Sequence, residues 1–198
     1  MGNIRDELII VSGIPRSGTS LIMQMLRAGG MDILSDHKRK ADKNNPKGYL
    51  ELQAVKNLFK DNSCLVKQTG KVVKVISHLL IYIPKNQLYK IIFINRNINE
   101  IIKSQQKMLR ENTKNYSKTL KKAFKKELSN VKLWINNQPN IELLNLNFKD
   151  IIKNPEKEIN NIIKFLNISL NREKMINIIE PSLYRNEIMK KAKSHNSE

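Results

Sequence analysis

Cysteine is almost missing from this chain. Its 198 residues include one, Cys64, which excludes an intramolecular disulfide and a cysteine-based metal cluster. Histidine is nearly as scarce, and His37, His78 and His195 show no metal-ligand spacing. Aromatic residues make up 6% of the chain, and the single tryptophan, Trp134, reads as a helix-packing anchor. No apolar run reaches the roughly 18–20 residues of a membrane-spanning helix. The opening MGNIRDELIIVSG leads straight into a strand pattern, without the layout of a signal peptide. Gly2 resembles a myristoylation start, but the sixth residue is Asp6 rather than Ser or Thr. A cytoplasmic setting is the expectation.

Acidic residues are also few, at 18 against 36 Lys+Arg, for a net charge of +18. Lysine (28), isoleucine (27) and asparagine (25) are the abundant residues. Asn and Ile confer no basicity, so their parallel excess points to compositional drift. A nucleic acid or an anionic membrane surface is therefore not the favoured reading of the charge. The stretch 103–126 holds nine basic residues and one acid, Glu111, and reads as a solvated helix. The apolar fraction of 40% suits one globular domain. We place that domain at residues 1–189, with a polar tail at 190–198.

Strand-like and helix-like segments alternate. Short apolar runs at Leu8–Val11, Val72–Ile76, Lys90–Asn95 and Ile141–Leu146 read as strands buried on both faces. Helical spacing marks Thr19–Ala28, Leu50–Phe59, Ser117–Asn136, Pro155–Leu166 and Asn171–Ile179, and a helix capped by Asn97 or Asn99. Residues 35–47 read as a polar loop. This order predicts an α/β fold of the P-loop type, with a parallel sheet of about four or five strands and helices on both faces.

The segment GIPRSGTS, Gly13 to Ser20, lies between the first strand and the first helix. That is where a phosphate loop must sit. Gly13 and Gly18 permit the turn, while Arg16, Ser17, Thr19 and Ser20 add donors at a helix N-terminus that favours anions. The spacing is that of the Walker pattern, but Thr19 holds the lysine position and the cation has moved to Arg16. A kinase or NTPase needs that lysine and usually Mg²⁺. A metal-free site for a 5′-phosphate or phosphosulfate fits better.

Arg96 ends the strongest strand, at the carboxyl edge where ligands of such sheets bind, and Ser104 lies eight residues on. Together they can hold one phosphate.

Three segments give the chain a family likeness: GIPRSGTSLIMQML (13–26), IIFINRNINEIIKSQQKML (91–109) and FKDIIKNPEKEINNIIKFLNI (148–168). The chain resembles the sulfotransferase superfamily, whose co-substrate is 3′-phosphoadenosine 5′-phosphosulfate (PAPS). NPKGYLE (45–51) and EPSLYR (180–185) are similar to a bacterial sulfotransferase-like subgroup.

The resemblance implies sulfuryl transfer from PAPS to a hydroxyl or amine acceptor, a small molecule or a polymer, without a metal. It implies nucleotide binding by Gly13, Arg16, Ser17, Gly18, Thr19 and Ser20, by Arg96 and Ser104, and by Arg185. Arg16 would stabilise the departing phosphate. Many relatives carry a Lys-Thr-His pattern after the second strand. Lys74 matches its lysine, Ile76 replaces its histidine, and His78 lies two residues further on. Other branches use a glutamate, and Glu51 is the matching base, with Asp42 the weaker candidate. Phe148 stands where the family often has Tyr, and can pack on adenine or in the core. Lys38, Arg39 and Lys40 read as solvated. Two other readings stay open: a non-catalytic nucleotide-binding module of the same fold, and a P-loop kinase.

Overall fold

The structure, a computed structural model, describes residues 6–36, 38–39, 41–42, 48–109 and 114–180. Among the described residues four strands form one sheet: β1 (Glu7–Ser12), β2 (Val72–Lys74), β3 (Leu88–Asn95) and β4 (Ile141–Asn147). Their order is β2-β1-β3-β4, and every pairing is parallel. Among the described residues six α-helices accompany them: α1 (Thr19–Ala28), α2 (Ile98–Leu109), α3 (Lys114–Asn136), α4 (Phe148–Lys153), α5 (Pro155–Leu166) and α6 (Arg172–Ile176).

The pleat sorts the side chains of β1 onto two cores. Ile9 and Val11 join Ile92 and Ile94 against Ile22 and Leu26 of α1, Ile159 and Ile162 of α5, and Met175 of α6. Leu8 and Ile10 join Ile91 and Phe93 on the other face, against Leu79, Leu80 and the α3 residues Val131 and Ile135. A third cluster packs Ile14 against Ile101, Ile102 and Phe124, which ties the first loop to α2 and α3. With both faces covered, β1 and β3 need no alternation, and their burial is nearly continuous.

The edge strand β4 departs from the expected two-sided burial. Only Leu146 in it is fully buried, because β4 has a neighbour on one side alone. The segment 50–59 departs further. It forms a 3₁₀ turn at Gln53–Asn57 instead of a helix, and Phe59 is exposed. Leu50 has a φ of 48°, and the Glu51 carbonyl accepts from the Asp36 N–H and the Ser35 hydroxyl. That backbone is therefore committed to residues 35–36 and cannot begin a helix. His78 lies on a further 3₁₀ stretch, Ser77–Tyr82, and α4 occupies residues between the expected strand and α5. Asn97 accepts from the Asn99 N–H at the start of α2. Among the described residues, no helix is long and apolar enough to cross a membrane.

Candidate functional site

The site forms at the carboxyl edge of the sheet, where β1 gives way to α1. Gly13 has a φ of 152°, Arg16 of 75° and Gly18 of 113°. A Cβ at Gly13 would stand 2.5 Å from the Ser17 hydroxyl and 2.7 Å from the Ile94 carbonyl. A Cβ at Gly18 would overlap the Phe148 ring. Both glycines are thus required by close approach as well as by φ. No side chain caps α1 at Gly18, so no side chain there competes with an anion for the start of the helix. Alternating backbone handedness of this kind makes a concave anion nest.

Several side chains line this turn. Ser17 is fully buried, and its Oγ, like that of Ser12, has no hydrogen-bond partner among the described residues. A buried hydroxyl without a partner is costly unless a ligand or water completes it. Thr19 is also buried. Ser20 Oγ accepts from Lys74 Nζ at 3.2 Å.

Two arginines meet on the α2 side. Arg16 Nε donates to Ser104 Oγ at 3.1 Å. Arg96 donates from Nη1 to the Arg16 carbonyl at 3.2 Å and from Nε to Glu100 at 3.1 Å. The Arg96 guanidinium also lies 4.2 Å from the centre of the Phe148 ring. Stacking and the i,i+4 ion pair together fix its plane. Arg16, Arg96 and Ser104, far apart in sequence, therefore form one cluster. The direct contact of Ser104 is with Arg16 of the loop. Among the described residues no carboxylate pairs with Arg16.

A second cluster lies beyond Ser20. Lys74, buried at the end of β2, donates to the Tyr49 carbonyl and pairs with Glu51, each at 2.8 Å. Arg39 grips both Glu51 oxygens at 3.0 and 3.1 Å and stacks 3.5 Å from the centre of the Tyr49 ring. Tyr49 in turn donates to Asp42. Burial raises the Glu51 pKa, but the Lys74 and Arg39 cations outweigh it and leave the carboxyl below its ordinary value. Burial depresses the Lys74 pKa, and Glu51 restores only part of it. Arg39 is thus engaged rather than simply solvated. Its partner set was hidden because loop 35–47 has no periodicity to read. Phe148 is in the core, against Gly18 and under Arg96. Arg185, Lys40 and the proposed tail at 190–198 lie outside the described residues.

A third group was not visible in the sequence. Ser77 donates to Glu127 of α3 through a short hydrogen bond, and His78 Nδ1 stands 3.7 Å from the same carboxylate oxygen. The Ser77 N–H donates to the Gly13 carbonyl, which sets this group beside the phosphate loop. Burial raises the Glu127 pKa, but hydrogen bonds with His78 and Ser77 bring it below normal. Among the described residues, no cluster of His, Cys, Asp and Glu could hold a metal ion.

The arrangement joins a glycine turn at a helix N-terminus to a cluster of Arg16, Arg96 and Ser104. The sulfotransferase domain model matches residues 6–198. The chain belongs to the sulfotransferase domain family. Solved relatives share this sulfotransferase fold. A mouse sulfotransferase complexed with PAP superposes with a TM-score of 0.55 at 18% identity, over 88% of this chain and 62% of that one. The sulfotransferase domain from the curacin biosynthetic pathway gives a TM-score of 0.55 at 14% identity, over 88% and 78%. Retinol dehydratase, in complex with androsterone and inactive cofactor PAP, gives 0.50 at 17% identity, over 89% and 64%. The chain thus spans less than two thirds of the length of the first and third of these. No curated protein matches it in sequence.

Proposed function

We propose that the chain transfers a sulfuryl group from PAPS to a hydroxyl or amine acceptor. The observation that carries this reading is the joining of the loop Gly13 to Ser20 to Arg96 and Ser104 through Arg16. One cluster then serves a nucleotide phosphorylated at both 3′ and 5′ positions. Gly13, Ser17, Gly18, Thr19 and Ser20 hold the 5′ group, and Arg96 with Ser104 holds the 3′-phosphate. Arg16 reaches both. Arg185 is kept in this proposal as a nucleotide ligand on the family resemblance. The setting proposed is cytoplasmic, and the acceptor is a small molecule or a polymer.

Sulfuryl transfer is an in-line displacement, in which charge builds on the departing phosphate. Arg16, without a carboxylate partner among the described residues, is the guanidinium that stabilises it. Lys74 bridges Ser20 and Glu51, so the Glu51 carboxylate is one cation away from the loop. Glu51 takes the acceptor's proton. Its depressed pKa keeps it ionised at neutral pH and makes it a weak base, so positioning must supply most of its effect.

Calorimetry tests the nucleotide class. Adenosine 3′,5′-bisphosphate is expected to bind without Mg²⁺, whereas binding of ATP·Mg alone would favour the kinase reading and overturn this one. Transfer of ³⁵S from labelled PAPS to a cell extract tests turnover, and binding without any transfer would favour a nucleotide-binding module. Glu51→Gln is expected to lower turnover by about 100-fold and to leave bisphosphate affinity within about threefold. The pH profile tests the base. With Glu51 as base, activity is lost as pH falls through its lowered pKa, so the acid limb lies below the ordinary carboxylate range.

A further inference from the structure

Helices α2 and α3 enclose an open groove of about 390 Å³ that is no part of the loop site. Its lining is Asn99, Ile102, Lys103 and Gln106 of α2 with Ser117, Lys118 and Lys121 of α3. The α2 residues follow an i, i+3, i+4, i+7 spacing and so share one stripe. Glu100 and Ser104, which serve the nucleotide cluster, belong to the neighbouring stripe.

The chemistry of this lining is one-sided. Three lysines line one space, and among the described residues no lining residue is acidic. None of the three lysines is ion-paired to a described residue. Like charges on facing helices repel, and an anion between them would remove that cost. Gln106 donates to Ser117 Oγ at 2.8 Å, which ties the two helices together across the groove. Ile102, nearly buried, gives it an apolar floor. The volume is that of a small-ligand site. Among the described residues no aromatic lines it, so these residues offer no platform for stacked bases. Mobile lysine point charges suit phosphoryl or sulfuryl oxygens better than a planar carboxylate, which arginine would grip.

We infer that the groove between α2 and α3 is a second anion site, for a small molecule bearing two or more phosphate or sulfate groups. It is separate from the phosphate loop. Because it shares α2 with Glu100 and Ser104, its occupant sits on the helix that shapes the nucleotide cluster.

The probe is inorganic tripolyphosphate, titrated by calorimetry into the full chain in excess adenosine 3′,5′-bisphosphate. The inference expects saturable binding that weakens at least tenfold in a Lys103→Ala, Lys118→Ala, Lys121→Ala triple variant. A control triple variant at the equally exposed Lys56, Lys60 and Lys67 is expected to stay within about twofold. Melting curves confirm that both variants are folded. Equal losses in the two variants, or no saturable binding, would overturn the inference. So would single-stranded oligonucleotide binding, without tripolyphosphate binding, that only the groove variant loses. The bisphosphate titration is read by itself. Its failure would count against the proposed function, while the tripolyphosphate result still decides the groove.

Discussion

Arg96→Ala is expected to weaken binding of adenosine 3′,5′-bisphosphate by about 100-fold, while adenosine 5′-phosphate loses threefold or less. Two charge-assisted hydrogen bonds to a 3′-phosphate, at about 1.5–3 kcal/mol each, set that scale. Equal losses for the two ligands would refute the 3′-phosphate assignment. The substitution also has a structural consequence. Arg96 and Glu100 form a buried pair, with side chains 8% and 6% exposed. Removing one partner leaves a buried charge, at a cost of about 3–5 kcal/mol. Arg96→Ala alone could therefore lose ligand through loss of fold. The double variant Arg96→Ala, Glu100→Gln removes the orphaned charge. Its melting temperature is expected to recover, while bisphosphate affinity stays low. Recovery of both would show that Arg96 acts only through stability. Arg96→Lys keeps a charge but loses the planar fork and the stack on Phe148, so it should fall between wild type and alanine.

The contrast between Arg96 and Arg39 shows which parts of the site were legible in sequence. Arg96 ends a continuous apolar run and precedes a capped helix, so local rules place it at the carboxyl edge of the sheet. Chain direction then brings it near the first loop. The parallel sheet, α1, α3 and α5 were legible for the same reason, because buried runs and helical stripes are local signals. Arg39 has no such frame. Its partners Glu51 and Tyr49 are found only once Lys74 of β2 and Ser20 of α1 have been brought together. The residues at 50–59 misled in the opposite sense. Their apolar spacing suits a helix, but hydrogen bonds to Ser35 and Asp36 claim the backbone first. Glu127 has no local signal of its own in the sequence, and only the fold places it against Ser77. Contacts made across the sheet edge were thus the part that no local pattern could supply.

Gly18→Ala should have the largest effect on the fold of any single methyl group at the site. Two costs add there. A φ of 113° is a backbone conformation that L residues rarely adopt, at about 1–3 kcal/mol. The new Cβ would also enter the space of the Phe148 ring, which is buried and cannot swing out to solvent. Overpacking of this kind costs about 1–3 kcal/mol more. The sum, about 2–6 kcal/mol, is comparable with the net stability of a small domain. Chemical denaturation should therefore show a lowered midpoint, and bisphosphate binding should be lost, since Gly18 turns the chain into α1. A double-mutant cycle separates the two costs. Phe148→Leu shortens the side chain facing Gly18, so Gly18→Ala, Phe148→Leu should be more stable than the single losses predict, by about 1 kcal/mol or more. Strict additivity would mean that the ring does not press on the loop, and that φ alone requires glycine. The same cycle read in bisphosphate affinity tests the link to Arg96, which stacks on that ring. Phe148→Leu by itself is expected to weaken the bisphosphate more than adenosine 5′-phosphate, because it loosens the guanidinium and leaves the loop backbone in place.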